Sequence, residues 1–475
     1  MSQQPSLKKN FFYKALLTVA NPLLGIITFP YISRVLGVEN VGLVNFVDNT
    51  INYFLLFATM GIGSIGVRAI AASRDSQDNL NKTFSNLLGM NLMFTFATLF
   101  VYNILIVCIP SFNQYYELFI LGNAKILFTS LLVEWFFNGM ENFKYITIRT
   151  LLIRLLYILM VFLLIRDSND YIVYFILTIS VIVVNAFINL AYLRRFTKII
   201  LKELLNHKFL KENILLGFYA IMTSMYLTFN VMYLGLMSNN VEVGYYTSAF
   251  KLYYLILSVF SAFTSVMLPR MSSLIAKGDM QKFSSLIDKS VSFVALLAIP
   301  IVVCGSILAP ELIEILCGTG YEGAILPMRI IMPALLLVGI AQIIANQILM
   351  PNKKDNVLLK VSVIGAVTAV VINITVVPHL NAIGSALVLL TSELLVTFSY
   401  LVYVQKHKMI DMHWGRFIRP ILTTIPCAIV CLWAQSLSCS PFCKLLICVP
   451  LSVVIYFTLN FRNIKYSMLT QKSSM

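Results

Sequence analysis

Charge is what this sequence has least of. Only 12% of its 475 residues are charged and 59% are hydrophobic, whereas a soluble domain is about a quarter charged. That polar surface is too small to cover such a chain in water, which excludes a string of soluble domains. Cysteine is sparse and scattered: eight residues without a CxxC pair, an arrangement that argues against a zinc site. Cys439 and Cys443 flank a short loop and would form a disulfide in an oxidising compartment; small apolar filling is the plainer role for all eight. No GxxxxGK[ST] phosphate loop occurs, which excludes a self-contained ATPase. A cleavable signal is not expected either. Lys8 and Lys9 precede an apolar stretch that runs on through Pro22 and Pro30, so it reads as a retained first span.

Long apolar runs fill the rest. A helix needs about 20 apolar residues to cross the hydrocarbon core of a bilayer. Fourteen candidates meet that length within a few residues: 11–35, 42–67, 84–110, 117–139, 146–166, 171–193, 213–237, 245–269, 289–310, 325–350, 357–378, 383–405, 417–437 and 443–461. The expected fold class is therefore all-α integral membrane. Lys and Arg set the orientation. With the N-terminus in the cytoplasm, about 26 of the 35 basic residues fall on the cytoplasmic side, and only Arg34, Arg166 and Lys444 lie at the opposite edge. Loops 111–116, 238–244 and 311–324 contain neither Lys nor Arg. This alternation implies that both termini are cytoplasmic. The net charge of +15 follows from the same bias, near anionic lipid headgroups, so no nucleic-acid partner is expected.

The basic loop 194–212 separates six spans from eight. The expected division is 1–200, 201–410 and 411–475, the last holding two extra helices and a tail. A faint internal echo supports parallel repeats: LGVENVGLVNF (36–46) and SNNVEVGYYTS (238–248) both lie at outer turns, with Gly42 and Gly244 opening the next span.

Ionisable groups inside spans carry chemistry by default, because each costs roughly 2.5–3.5 kcal/mol at the bilayer centre on insertion scales. Lys14, Arg329 and Lys360 start near span ends, from which a long side chain snorkels to the interface. Asp48, Lys125, Arg154, Lys251 and Glu393 lie deeper, roughly 9–15 Å in at 1.5 Å per residue. A water-filled lumen and an ion pair buried between helices are both open to these five. Glu134, near an inner span end, is ambiguous. Asn21, Thr28, Asn45, Asn49, Thr50 and Asn52 add small polar groups to the first two spans, either as glue between helices or as the lining of a passage.

Two segments carry a family likeness. YISRVLGVENVGLVNFVDNTINYFLLFATMGIGSIGVRAIAASR (31–74) and EWFFNGMENFKYITIRTLLIRLLYILMVFLLIRDSNDYIVYF (134–175) resemble the polysaccharide-exporter membrane proteins. These are the Wzx-type O-antigen and capsule flippases, in a superfamily shared with multidrug-extrusion transporters and the lipid II flippase. The resemblance covers most of the chain and is strongest over 11–175. It implies two six-helix lobes around a central cavity, two extra C-terminal helices, and alternating access. The implied cargo is an undecaprenyl-diphosphate-linked oligosaccharide, with membrane lipids and the polymerase and chain-length regulator of the pathway as partners. The implied location is the bacterial inner membrane.

The family's cationic lumen maps onto Lys125, Arg154 and Lys251, with Lys14 and Arg34 at the cavity ends. Asp48 departs from that pattern, and with Glu134 and Glu393 it is a candidate for coupling or gating. No cofactor is implied beyond H+ or Na+ as a coupling ion. Under the repeat offset Asp48 and Lys251 sit at matching depth, which motivates the hypothesis that they pair in one conformation. Two tolerated single charge swaps would rule that out.

The main rival is a cation-coupled multidrug or metabolite antiporter of the same fold, which the excess of buried bases over acids disfavours. A membrane-bound glycosyltransferase or polymerase would need a larger extramembrane loop than any present. A non-transporting scaffold is the third reading.

Overall fold

The computed structural model describes residues 7–206, 208–225, 228–409 and 415–472. Their regular structure is helical. In hydrocarbon an unpaired backbone amide or carbonyl costs several kcal/mol, and a helix pairs them all within one segment. Among the described residues, eleven helical runs are long and apolar enough to cross a membrane.

In chain order the first helices are α1 (Leu7–Thr59), α2 (Ile62–Ser73), α3 (Gln77–Cys108), α4 (Pro110–Asn113), α5 (Tyr116–Leu131) and α6 (Glu134–Gly139). Next come α7 (Phe143–Leu164), α8 (Tyr171–Leu193), α9 (Leu210–Ser224), α10 (Thr228–Met237), α11 (Asn240–Ala276) and α12 (Met280–Ile307). The last six are α13 (Ala309–Cys317), α14 (Ile325–Ile331), α15 (Ala334–Ile343), α16 (Asp355–Lys406), α17 (Gly415–Gln435) and α18 (Pro441–Lys472).

The fourteen predicted spans map onto these helices. Helix α1 runs through Pro22 and Pro30 and breaks at Gly37, where φ of 74° takes the backbone into the left-handed region that glycine tolerates. That break separates the first two predicted spans. Helix α16 breaks likewise at Asn381, φ 47°, between the predicted spans 357–378 and 383–405. The span predicted at 213–237 corresponds to α9 and α10. Two short helices run from the ends of predicted spans into predicted loops, α4 into 111–116 and α13 into 311–324, each with a proline in its first turn.

The chain divides into two compact units, Met1–Gly244 and Tyr245–Met475. Helices α9 and α10 belong to the first because both pack on α1. A core of Phe84, Trp135, Phe136 and Phe137 ties α2, α3 and α6 together within it. The internal echo meets itself here. A methyl carbon built on Gly42 would sit on the Asn240 carbonyl and 2.8 Å from the Gly244 nitrogen, and one on Gly244 would meet the Val38 carbonyl. Only hydrogen at both positions lets α1 and the first turn of α11 approach this closely.

Candidate functional site

The second half of α1 carries a polar stripe. Asn45, Asp48, Asn49 and Asn52 recur at spacings of three and four and so share one helix face. All four are half-buried, whereas Phe46, Val47, Thr50 and Ile51 on the opposite face are fully buried. The Thr50 hydroxyl donates to the Phe46 carbonyl at 2.8 Å, which leaves it a local role in the helix.

Lys125 reaches this stripe from α5. Its Nζ donates to Asp48 Oδ1 at 2.6 Å and to Asn52 Oδ1 at 2.7 Å, and Asn52 Nδ2 donates to Asp48 Oδ2 at 3.2 Å. Gly122, one turn earlier on α5, packs against Ile51 and Tyr102 without room for a Cβ, which brings α5 close enough to α1 for the bond. Lys125 is only 7% exposed, but the Asp48 side chain is 32% exposed. The ammonium is satisfied inside the protein and the carboxylate is open beside it. Arg154 on α7 is half-buried in the same neighbourhood. Tyr157 and Tyr174 lie within electrostatic reach of both Arg154 and Asp48. The Lys125–Asp48 pair, with the Arg154 guanidinium in the same neighbourhood, can attract an anion while an amide-rich face hydrogen-bonds to it.

The second unit contains a cavity of about 1110 Å³ lined by α12, α17 and α18. Its wall follows α12 from Ser285 to Cys304, roughly 29 Å at 1.5 Å per residue, close to the thickness of a bilayer core. Leu296, Pro300, Ile301, Val449 and Val453 make it apolar, and Lys289 with the Asp288–Arg416 ion pair marks one end.

The family model described as "Polysaccharide biosynthesis protein" matches residues 7–275, more than half of the chain. The chain belongs to that family. A relative in Escherichia coli (strain K12), named "Putative O-antigen transporter", is 25% identical over 410 residues, covering 85% of this chain and 98% of that one. A Shigella dysenteriae protein of the same name is 24% identical over 404 residues, covering 84% and 100%. Among solved structures, the lipid II flippase MurJ in an inward closed conformation aligns with TM-score 0.79 at 15% identity, over 97% of this chain and 99% of that one. An inward-facing multidrug resistance MATE family transporter of the MOP superfamily aligns with TM-score 0.61 at 14% identity, over 84% and 100%. These two likenesses show the fold.

In this member of the polysaccharide biosynthesis family the remaining predicted residues are dispersed. Arg34 is exposed, and its Nη1 donates to the Pro30 carbonyl at 2.7 Å. The side chain of Lys14 lies outside the described residues. Lys251 is half-buried on α11 in the second unit, and in this structure the carboxylate of Asp48 is held by Lys125. Arg329 and Lys360 are exposed, and Arg329 Nε donates to the Ser306 carbonyl at 3.1 Å. Glu393 is 6% exposed on α16, with no hydrogen bond or ion pair among the described residues. All eight cysteines are free thiols, and Cys439 and Cys443 are exposed.

Glu134 is a clamp. It accepts from Arg149 Nη2 at 2.5 Å, Arg149 also donates to the Asn189 side-chain oxygen, and Asn189 Nδ2 donates to the Leu132 carbonyl at 2.5 Å. Val133, immediately before Glu134, adopts φ 43°, an uncommon conformation for a β-branched residue that turns the chain from α5 into α6. Sequence reasoning missed Arg149, which lies close to a span end and reads as a headgroup-facing base. It also missed Tyr157, although its position one turn beyond Arg154 on α7 was a usable signal. Tyr174 gave none.

Proposed function

We propose that the protein is a flippase that carries undecaprenyl-diphosphate-linked oligosaccharide repeat units from the cytoplasmic to the periplasmic leaflet of the bacterial inner membrane by alternating access, with both termini cytoplasmic. The observation that carries this reading is the buried Lys125 ammonium paired with the partly open carboxylate of Asp48, with Arg154 in the same neighbourhood. A diphosphate oxygen competes with that carboxylate for the same ammonium, and Arg154 adds a second charge-assisted donor. Each sugar hydroxyl costs several kcal/mol to bury unpaired in hydrocarbon, and the Asn45–Asn52 face supplies partners for such groups. The apolar cavity along α12 is long enough for a hydrocarbon chain. Family membership and the O-antigen transporter names of the relatives support the same cargo class.

The membrane potential suits the direction of transport. Moving one negative charge outward through an inside-negative membrane gains about 2.3 kcal/mol per 100 mV, so a diphosphate is driven out without ATP.

A second reading, cation-coupled antiport of a drug or metabolite, is favoured by Glu393, a buried acid without a partner among the described residues. A deletion strain separates the two. Loss of a flippase accumulates lipid-linked repeat units on the cytoplasmic leaflet, and Lys125→Met fails to clear them. Normal repeat-unit distribution with new drug sensitivity would overturn the flippase reading.

A further inference from the structure

Helices α7 and α8 run antiparallel, with the start of α7 against the end of α8: the rings of Tyr145 and Tyr192 stack at 4.0 Å between centroids. A crevice of about 490 Å³ opens beside this stack, lined by Lys144, Tyr145, Arg149 and Tyr192 at one end and by Ile148, Leu152 and Ile188 along its length. The three aliphatic residues are 45%, 61% and 39% exposed, so the crevice faces outward from the protein as an apolar strip. Its other end is basic. Lys144, Arg194 and Arg195 are exposed there, and the Arg195 guanidinium lies 5.5 Å from the Tyr192 ring centre.

The acids nearby do not offset these charges. Glu134 is taken by Arg149 and Glu141 by Arg74, at 2.5 and 2.9 Å. Lys144, Arg194 and Arg195 have no carboxylate partner among the described residues. A strip that binds an alkyl chain therefore ends in a cluster that binds an anion.

We infer that this crevice is a binding site for an anionic glycerophospholipid, with an acyl chain along Ile148, Leu152 and Ile188 and the phosphate between Lys144 and Arg195. Charge complementarity selects the occupant, since basic pockets between membrane helices recruit anionic headgroups. A zwitterionic lipid offers the same chains but carries a cation that the cluster repels. The site is separate from the Asp48–Lys125 cluster and implies that the protein's stability depends on the lipid around it.

The test is native mass spectrometry of the full-length protein released from detergent containing phosphatidylglycerol or phosphatidylcholine. The wild type should retain phosphatidylglycerol preferentially and gain thermal stability from it. The double variant Lys144→Gln, Arg195→Gln should bind it about 25-fold more weakly, about fivefold for each cation removed. The double variant Lys144→Arg, Arg195→Lys keeps both charges and should keep the preference. Equal retention of the two lipids by the wild type overturns the inference. So does an undiminished preference in the neutral variant, its loss in the charge-retaining variant, or displacement of phosphatidylglycerol by stoichiometric undecaprenyl phosphate.

Discussion

Lys125 and Asp48, 77 residues apart in the chain, meet at 2.6 Å with the cation hidden and the carboxylate partly open. Removing one member of a buried pair strands the other, at about 3–5 kcal/mol. Because Asp48 is about one-third exposed, water relieves part of that cost, and the lower end of the range applies to Lys125→Met. That variant should unfold at lower temperature in detergent and export no repeat units. Adding Asp48→Asn to it should recover stability but not export. A Lys125→Met protein as stable as wild type would show that the pair carries no structural weight.

The Glu134–Arg149 clamp should behave differently. Arg149 bonds both Glu134 and Asn189, and lysine lacks the fork to hold both. Arg149→Lys should lose about 1–3 kcal/mol, the cost of a buried polar group left unsatisfied. Export should fall only as far as the amount of folded protein falls. Quantifying membrane-inserted protein alongside export checks this, and loss of export at full protein level would make Glu134 functional.

Where α1 meets α11, space is decisive. A Cβ on Gly42 collides with backbone at Asn240 and Gly244, which cannot rotate away. Gly42→Ala should cost about 1–3 kcal/mol, as overpacking does. Gly25, on the same helix, has nothing within 4 Å of its Cβ position. Gly25→Ala should be neutral or slightly stabilising, since alanine is the better helix former by about 1 kcal/mol. Melting temperatures of the two variants, measured side by side, decide it.

Export should respond to voltage. For a cargo of about two negative charges, 100 mV is worth about 4.6 kcal/mol. Translocation of fluorescent lipid-linked repeat units into vesicles should rise steeply with an imposed potential of the correct sign and stop when an ionophore collapses it. Indifference to both potential and pH gradient would remove electrophoretic export.

Much of the fold was legible because hydrocarbon leaves few choices. A run of about 20 apolar residues must be a helix, and the breaks at Gly37 and Asn381 fall in the short gaps between predicted spans. The same counting put Asp48, Lys125 and Arg154 inside predicted spans, and each lies within a helix. Their partners were not legible. Pairing across 77 residues depends on which faces of α1 and α5 meet, and hydropathy does not encode that when a span is apolar all round. Arg149 shows the complementary limit: near a span end the same residue suits the headgroups or a buried clamp, and only the position of Glu134, set by the backbone turn at Val133, decides between them.

In the proposed flippase, an acid standing in front of a hidden amine would work as a sieve. There, chloride and other small anions would meet the repulsion of Asp48 beside Lys125, and one weak acceptor would not displace a carboxylate already bonded twice. A ligand bearing several strong acceptors at once can make the exchange. Such an arrangement would let a bulky anionic lipid through while keeping the membrane sealed against the salts on either side.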